Sequence, residues 1–337
     1  MKKWLFFFGF VMACAGFTTL TSAPSKNDPK EIRTAVSKSL DLLQRCSHTF
    51  LENAGACHSC HHNDLAAISF PLAKEKGFHI SDTVAHETLA AIYNNNWNLS
   101  RAGLIENDDV VAVIMIGGYD MWALSANHYP PSKSLEMLVQ NVLHRQTKNG
   151  NWVSPNPRPP LEYYAVTATA LTVKGILAYS TPYMHDEVVQ RVNRARAWLE
   201  TVTPVTNEEK VYQLLGLMWS GGNPKIIEQQ SKKLLTAQRE DGGWSQLPSL
   251  ESDAYATGES LYALNQTGQL KTDDPAYQKG ISYLLTTQLE DGSWKVQTRS
   301  FPVIPYVETG FPHGKSQFIS AAGTTWATMA LLLSFHH

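Results

Sequence analysis

A Cys-x-x-Cys-His sequence stands near the start of the chain, at residues 57–61. Two thiols three residues apart can form thioethers to the vinyl groups of a haem, and a histidine directly after them then lies beneath the iron. The spacing therefore predicts haem c bound through Cys57, Cys60 and His61, with His61 as the iron ligand. A Cys57–Cys60 disulfide and a small metal site formed by His58, His61 and His62 stay open as alternatives.

The other thiols and imidazoles leave parts of this site undefined. The sequence does not assign the sixth ligand of the iron, for which four histidines are available: His62, His79, His86 and His313. Three cysteines follow the leader described next, so one thiol is left over whichever pair is used. No role follows for Cys46.

The first residues have the pattern of an export signal. Lys2 and Lys3 precede an apolar run, and small residues occupy Thr21-Ser22-Ala23. This pattern predicts a signal peptide at residues 1–23 and a periplasmic or secreted chain at 24–337. A membrane anchor is the alternative, but the apolar run is short for a full span. We expect no transmembrane span in the mature chain.

The composition indicates a large core and excludes one class of partner. The chain has 337 residues, of which 43% are hydrophobic and 17% charged, and its formal net charge is -2. Such a balance provides no basic surface for a nucleic acid. We therefore expect a single folded domain and no nucleic-acid partner.

A turn of one design recurs along the chain, at residues 146–152, 238–244 and 288–294. Each copy has an apolar helical run, then Gln, a polar turn containing Gly, and Trp. Gly supplies the backbone conformation that ends a helix, and Trp can clamp the next element. Because one such unit cannot bury its apolar face alone, the copies must stack into one array.

Second helices are predicted between these turns, and several of them are apolar on every face. A helix of that kind is buried or spans a membrane, and polar breaks such as Asp120 and Asn127 favour burial. Each pairs with a more charged outer helix, the first repeat covering about 27–80. Six pairs predict a closed double ring, with an open solenoid as the alternative. The inner helices are expected at 64–77, 108–126, 162–180, 208–220, 253–267 and 317–334.

One long segment, residues 295–315, lacks helical periodicity and carries three prolines and three aromatic residues. Long loops inside a compact domain are usually functional or disordered, and aromatic residues argue against disorder. We therefore expect a functional loop.

The Gln-x-x-x-Gly-x-Trp units are similar to the repeats of squalene–hopene cyclases and protein prenyltransferases. Residues 57–62, 252–258 and 310–314 also resemble a group of secreted bacterial squalene-cyclase-like repeat proteins. The resemblance covers nearly all of the mature chain. It implies an all-α fold, an α/α toroid with about six inner and six outer helices. A prenyltransferase zinc site is excluded, because every mature cysteine precedes residue 61.

Squalene–hopene cyclases carry an Asp-x-Asp-Asp acid motif at the start of an inner helix. The nearest match here is residues 106–109, in which Glu106 replaces the first Asp. By this resemblance Asp108 is a candidate proton donor, which must be a neutral carboxylic acid in a dry site. Glu162, Asp253 and Gln317 also begin inner helices, so we expect them at the same rim as residues 57–61. The alternative interpretation is that these residues only cap the starts of helices.

The sequence supports several functions. The first is an exported toroid with haem c in a redox or ligand-binding role, with a redox partner. The alternatives are a terpenoid cyclase-like enzyme with Asp108, Asp253 and Glu162 as catalytic candidates, or a non-catalytic scaffold for an apolar or carbohydrate ligand. A polysaccharide-degrading toroid rests on fold analogy alone. An apolar small molecule would occupy a central cavity. Five aromatic residues on or near the inner helices line this cavity or belong to the ordinary core: Tyr163, Tyr164, Tyr255, Tyr262 and Trp326.

Overall fold

The computed structural model describes Met1 and residues 27–55, 58–101, 113–154, 158–302 and 306–335. The predicted signal peptide, Cys57 and residues 106–109 with Asp108 lie outside the described residues. Within the described ranges the regular secondary structure is helical, apart from an isolated bridge between Trp244 and Asp253. No helix in those ranges is long and apolar enough to cross a membrane.

Twelve α-helices in the described residues alternate between two layers. The outer layer contains α1 (Pro29–Asn53), α3 (Asp82–Ser100), α5 (Lys133–His144), α7 (His185–Thr201), α9 (Pro224–Leu235) and α11 (Pro275–Thr287). The inner layer contains α2 (Leu65–Glu75), α4 (Val113–Ala126), α6 (Ala165–Tyr179), α8 (Asn207–Ser220), α10 (Ala254–Gln266) and α12 (Gln317–Leu333).

The inner helices form a closed ring. Each packs on the next in chain order, and α12 packs on α2. In the outer layer, α11 contacts α1. Asn27, directly before α1, also donates through Nδ2 to the carbonyl oxygen of Gln278 at 2.9 Å. These contacts confirm the predicted α/α toroid, and the open solenoid is wrong.

Polar caps fix the starts of many helices. The side chains of Asp28, Ser132 and Asn223 accept hydrogen bonds from backbone N–H groups in the first turns of α1, α5 and α9. Thr206 and Glu209 form a reciprocal capping box at the start of α8. Such caps satisfy amide groups that the helix itself leaves without partners.

Aromatic side chains occupy the middle of the ring. Trp326 of α12 is fully buried, and its ring lies 5.3 Å from that of Tyr262 and 6.1 Å from that of Trp122. Trp122 in turn packs at 5.3 Å against Trp219 of α8. Tyr255 is also fully buried, so Tyr255, Tyr262 and Trp326 pack as core, one of the two interpretations that the sequence leaves open.

The recurrent Gln of each turn joins neighbouring pairs of helices. Its Nε2 donates to the Gly carbonyl of its own turn and to a carbonyl of the next outer helix. The second acceptor is Arg191 for Gln146, at 2.8 Å, and Ala276 for Gln238, at 2.8 Å. For Gln288 it is Ala35, at 2.9 Å, so the last turn docks on α1. The repeat motif thus closes the ring.

The glycines of these turns lie close to the next outer helix. Gly150 has φ +95°, and a Cβ built on it would lie 2.6 Å from the carbonyl oxygen of Arg194. Gly292 has φ +89° and would meet Lys38 in the same way, also at 2.6 Å. A side chain at these positions would suffer both backbone strain and a collision.

Gly150→Ala is expected to destabilise the protein by about 2 kcal/mol more than Gly268→Ala. Gly268 also has a positive φ, +71°, but a Cβ there meets nothing within 4 Å. Both variants carry the backbone strain and only Gly150→Ala adds the collision with α7. Urea unfolding followed by tryptophan fluorescence measures both. Equal losses would show that the close approach is unimportant.

Candidate functional site at the rim of the ring

A cavity of about 520 Å³ opens at the rim where the first and last helix pairs meet. Phe50 of α1, His61 and His62 before α2, and Phe318 of α12 form its inner wall. Residues 298–302 and 306–309 form most of the rest, with Phe301 and Tyr306 exposed at the mouth. The loop predicted to be functional therefore builds much of this wall.

His61 and His62 form a buried pair at the base of the cavity. Their Nδ1 atoms lie 2.6 Å apart, so one imidazole donates and the other accepts. Burial, the neighbouring His62 and the charge of Arg158 lower the pKa of His61 well below its usual value. Burial also lowers the pKa of His62, to about 3. Both imidazoles are therefore neutral at physiological pH.

Arg158 connects this pair to one of the predicted acids. Its Nη1 lies 3.3 Å from Nε2 of His61 and 3.4 Å from Oε1 of Glu162. The guanidinium also lies over the ring of Phe318, 5.6 Å from its centroid. Glu162 is buried beside the same rim, as predicted. A cation held between an aromatic ring and a carboxylate can bind an anionic ligand group.

The described half of the Cys-x-x-Cys-His sequence does not fit a haem c site. In such a site the second cysteine and the histidine border the same porphyrin. Here His61 lines the cavity with its Nε2 against Arg158, a cation where the iron would lie. Cys60 instead belongs to the apolar core, and burial raises the pKa of its thiol well above the usual value. Cys46 is also buried, and Cys46 and Cys60 form no disulfide with each other.

The remaining sixth-ligand candidates are dispersed. His79 lines a separate surface groove beside Gln44 and Glu87. His313, in the left-handed backbone region, accepts from or donates to the hydroxyl of Ser293 at 2.9 Å. Of the four candidates, His62 alone is among the residues that line the rim cavity.

His58 turns away from His61 and His62 and contacts two aspartates. Its Nε2 lies 2.7 Å from Oδ1 of Asp120 in α4 and 3.3 Å from Oδ1 of Asp64. Burial opposes a charge on His58, but the two carboxylates outweigh it and raise its pKa well above the usual value. Burial raises the pKa of Asp64 to about 8, although His58 opposes this change. The metal alternative with His58, His61 and His62 as joint ligands is not the arrangement found.

Asp253 caps α10 at the same rim. Its Oδ1 accepts from the backbone N–H of Ala256 at 2.9 Å, and its Oδ2 accepts from Gln246 Nε2 at 3.0 Å. Gln246 in turn accepts from Nε of Arg299 at 2.8 Å, in the loop that forms the cavity wall. Burial raises the pKa of Asp253 to about 6 despite these hydrogen bonds. The capping interpretation describes its geometry.

A pair of carboxyl groups that sequence reasoning missed lies deeper in the ring. Glu208 of α8 and Glu259 of α10 are both buried and close enough to share a hydrogen bond. Tyr255 donates to Glu208 at 2.6 Å, and Asn207 donates to Glu259 at 2.7 Å. Burial raises the pKa of Glu208 to about 7, and burial with the charge of Glu208 raises that of Glu259 well above its usual value. Two carboxyl groups in so dry a place do not both ionise readily, so at least one of them keeps its proton at neutral pH.

The fold and part of the sequence are similar to terpene cyclases. No family model matches the chain. Over an alignment of 111 residues that covers 28% of this chain, the sequence is 32% identical to the squalene–hopene cyclase of Bradyrhizobium diazoefficiens, and the match covers 16% of that cyclase. The chain thus spans only about a sixth of the length of the curated relative it matches.

Solved structures match nearly the whole chain. The type II terpene cyclase MstE from Scytonema has a TM-score of 0.54 at 12% identity, over 90% of this chain and 98% of that one. A variant of MstE bound to geranylgeranyl dihydroxybenzoate (substrate) has a TM-score of 0.57 at 11% identity, over 90% and 97%. A protein from Actinoplanes has a TM-score of 0.58 at 14% identity, over 90% and 99%. These likenesses establish a shared toroid fold.

Proposed function

We propose that the chain is a terpene-cyclase-like protein that binds a prenylated acid in the rim cavity and cyclises it with Asp108 as the proton donor. The observation that carries this proposal is the cavity itself. Its volume, about 520 Å³, is within the range of small-molecule sites. Its walls combine Phe50, Phe318 and Tyr306 with the cations Arg158 and Lys315. Such a site suits a molecule with an apolar tail and an anionic head.

The head group would lie against Arg158. That guanidinium already stacks on Phe318 and contacts Glu162, so its position is fixed before a ligand arrives. Lys315, exposed at the mouth, adds a second positive charge. The substrate named for MstE, geranylgeranyl dihydroxybenzoate, is a prenyl chain on an aromatic acid. That pattern of tail and head matches the lining of this cavity.

Cyclisation of such a chain is an isomerisation that needs one proton at its start and returns one at its end. A carboxylic acid protonates a terminal alkene, neighbouring double bonds close the rings, and a base removes a proton from the final cation. The acid must be neutral at working pH, which burial achieves. Burial in the same ring raises the pKa of Glu208 to about 7, which is an example of the change that Asp108 would need.

Asp108→Asn is expected to abolish cyclisation and retain binding. The purified protein is incubated with geranylgeranyl dihydroxybenzoate and with squalene, and products of unchanged mass are sought by liquid chromatography with mass spectrometry. The loss should be at least 100-fold, as for removal of a general acid. Asp273→Asn, a change in the turn before α11, is the matched control. Cyclisation that persists in Asp108→Asn would refute the role of Asp108.

A binding scaffold without chemistry is the second candidate. The aromatic rings packed around Trp326 favour it, because they fill space in the middle of the ring that a long substrate would need. The same incubation distinguishes the two functions. The scaffold function would be established by a ligand that binds the wild type in a 1:1 ratio and is recovered from it unchanged. The same ligand should fail to bind the Phe318→Ala variant.

Export and haem attachment are tested together. We propose that residues 1–23 direct export, so expression with this leader should place the mature chain in the periplasmic fraction.

Haem c stays a prediction of the Cys-x-x-Cys-His spacing, but the placement of Cys60 and His61 disfavours it. We therefore expect no Soret band from protein made in a host with haem-maturation machinery. A covalent haem lost in Cys60→Ala would reverse this expectation.

A further inference from the structure

We propose that His58, Asp64 and Asp120 bind a divalent first-row transition-metal cation that ties the start of α2 to α4. These three residues are the group of described side chains whose ligand atoms all lie within 4.8 Å of one another. All three are buried. The site is separate from the rim cavity, which none of them lines.

The distances suit a shared cation. Nε2 of His58 lies 2.7 Å from Oδ1 of Asp120 and 3.3 Å from Oδ1 of Asp64. Ligands about 2.1 Å from a tetrahedral zinc ion are about 3.4 Å from one another, so small shifts would suffice. One imidazole and two carboxylates on neighbouring elements provide three protein ligands.

Asp64 supplies the independent indication of a ligand. Its side chain is fully buried, and neither carboxylate oxygen has a hydrogen-bond partner among the described residues. Its one close polar neighbour in an ion pair is His58, at 3.3 Å. A buried carboxylate whose near polar neighbour is an imidazole shared with a second carboxylate is poorly compensated, and coordination to a cation removes that cost.

The surroundings orient the ligand atoms. Asn95 of α3 donates through Nδ2 to Oδ2 of Asp120 at 3.0 Å, which leaves Oδ1 directed at His58. Hydrogen bonds of this kind fix ligating carboxylates in metal sites. Residues Cys60–Asp64 form a turn of π-helix that places Asp64 against His58. Such turns occur frequently at functional sites.

The donor set selects the class of cation. An imidazole favours zinc, iron, copper or nickel, whereas calcium and magnesium prefer oxygen ligands alone and manganese is suited by the two carboxylates. The competing arrangement is a protonated His58 held between two carboxylates with no cation. A measurement of metal binding distinguishes the two arrangements directly.

The test is metal binding by protein first dialysed against a chelator. Isothermal titration with Zn²⁺ and with Mn²⁺, and metal analysis after gel filtration, should find one cation per chain. Asp64→Asn and Asp120→Asn should each weaken binding at least 100-fold. Glu259→Gln, another buried carboxyl group, is the control and should bind like the wild type. The melting temperature should rise with metal in the wild type and in Glu259→Gln only.

Two results would overturn the proposal. The first is a wild-type chain that takes up no cation. This result does not depend on whether the two Asp variants fold. The second is a bound cation that Cys60→Ala removes while Asp64→Asn retains it. Substitution with Co²⁺ gives a further readout, since thiolate ligands add a strong near-ultraviolet band. A spectrum that requires two thiolates would assign the metal to Cys57 and Cys60 and contradict the site.

Discussion

Trp294→Ala is expected to lower the free energy of unfolding by about 4 kcal/mol, a loss typical of a buried tryptophan. Trp294 is 1% exposed and follows the turn that docks on α1. Its Nε1 donates to the carbonyl oxygen of Leu284 at 2.8 Å, and its backbone N–H donates to Thr324 Oγ1 at 3.1 Å. The substitution leaves a cavity between α11 and α12 and an acceptor without its donor.

Trp97→Ala is the control for this loss. Trp97 lies in α3 and is 42% exposed, so its removal should cost about 1 kcal/mol or less. Urea unfolding at neutral pH, followed by circular dichroism at 222 nm, measures both variants. A similar loss in the two would show that the tryptophan of the repeated turn does not stabilise the closure of the ring.

Glu259→Gln is expected to stabilise the protein by about 2 kcal/mol at pH 8 and to leave it nearly unchanged at pH 4.5. Glutamine keeps the acceptor for Asn207 and can donate to Glu208, but it cannot ionise. In the wild type both carboxyl groups are protonated at low pH, and raising the pH forces charge into a dry site.

The direction of this pH effect follows from the linkage between protonation and folding. The folded pKa of Glu208 is about 7, above the usual 4.5, so the folded chain retains a proton that the unfolded chain releases. Stability from this pair is therefore complete below pH 4.5 and is lost as the pH rises towards 7 and beyond. His61 and His62 act oppositely, losing stability below about pH 6.5, but they are common to both proteins and cancel in the difference.

Urea unfolding at pH 4.5, 6 and 8 provides the measurement. Glu240→Gln, a change at an exposed carboxylate, is the control and should show no pH-dependent difference from the wild type. If Glu259→Gln were less stable than the wild type at pH 8, ionisation of this buried pair would not be what costs stability.

The helices and their closure could be predicted because the signals are local. The apolar runs, the Gln and Gly of each turn, and the Trp that follows recur about every fifty residues, so the pairs and their order follow from stacking. Glu162 was placed correctly beside His61 because both begin inner helices.

The polar clusters could not be predicted, because their members are distant in sequence and depend on how each inner helix is rotated. Asp120 was interpreted only as a polar break in an apolar helix, and its partner His58 lies 62 residues away. Glu259 is the one acid of α10, whereas Glu208 has Glu209 beside it in α8, and no spacing in the sequence links the two. A lone carboxyl group in an apolar inner helix, such as Glu259, was the available signal.

The rim cavity lies where the first and last helix pairs meet, since Phe50 belongs to α1 and Phe318 to α12. A ligand held there touches both sides of the junction at which the ring closes. Occupancy should therefore slow amide hydrogen exchange in α1 and α12 together, while α8 on the far side keeps its rate. Ligand binding and the cooperativity of unfolding therefore both depend on the junction between α1 and α12.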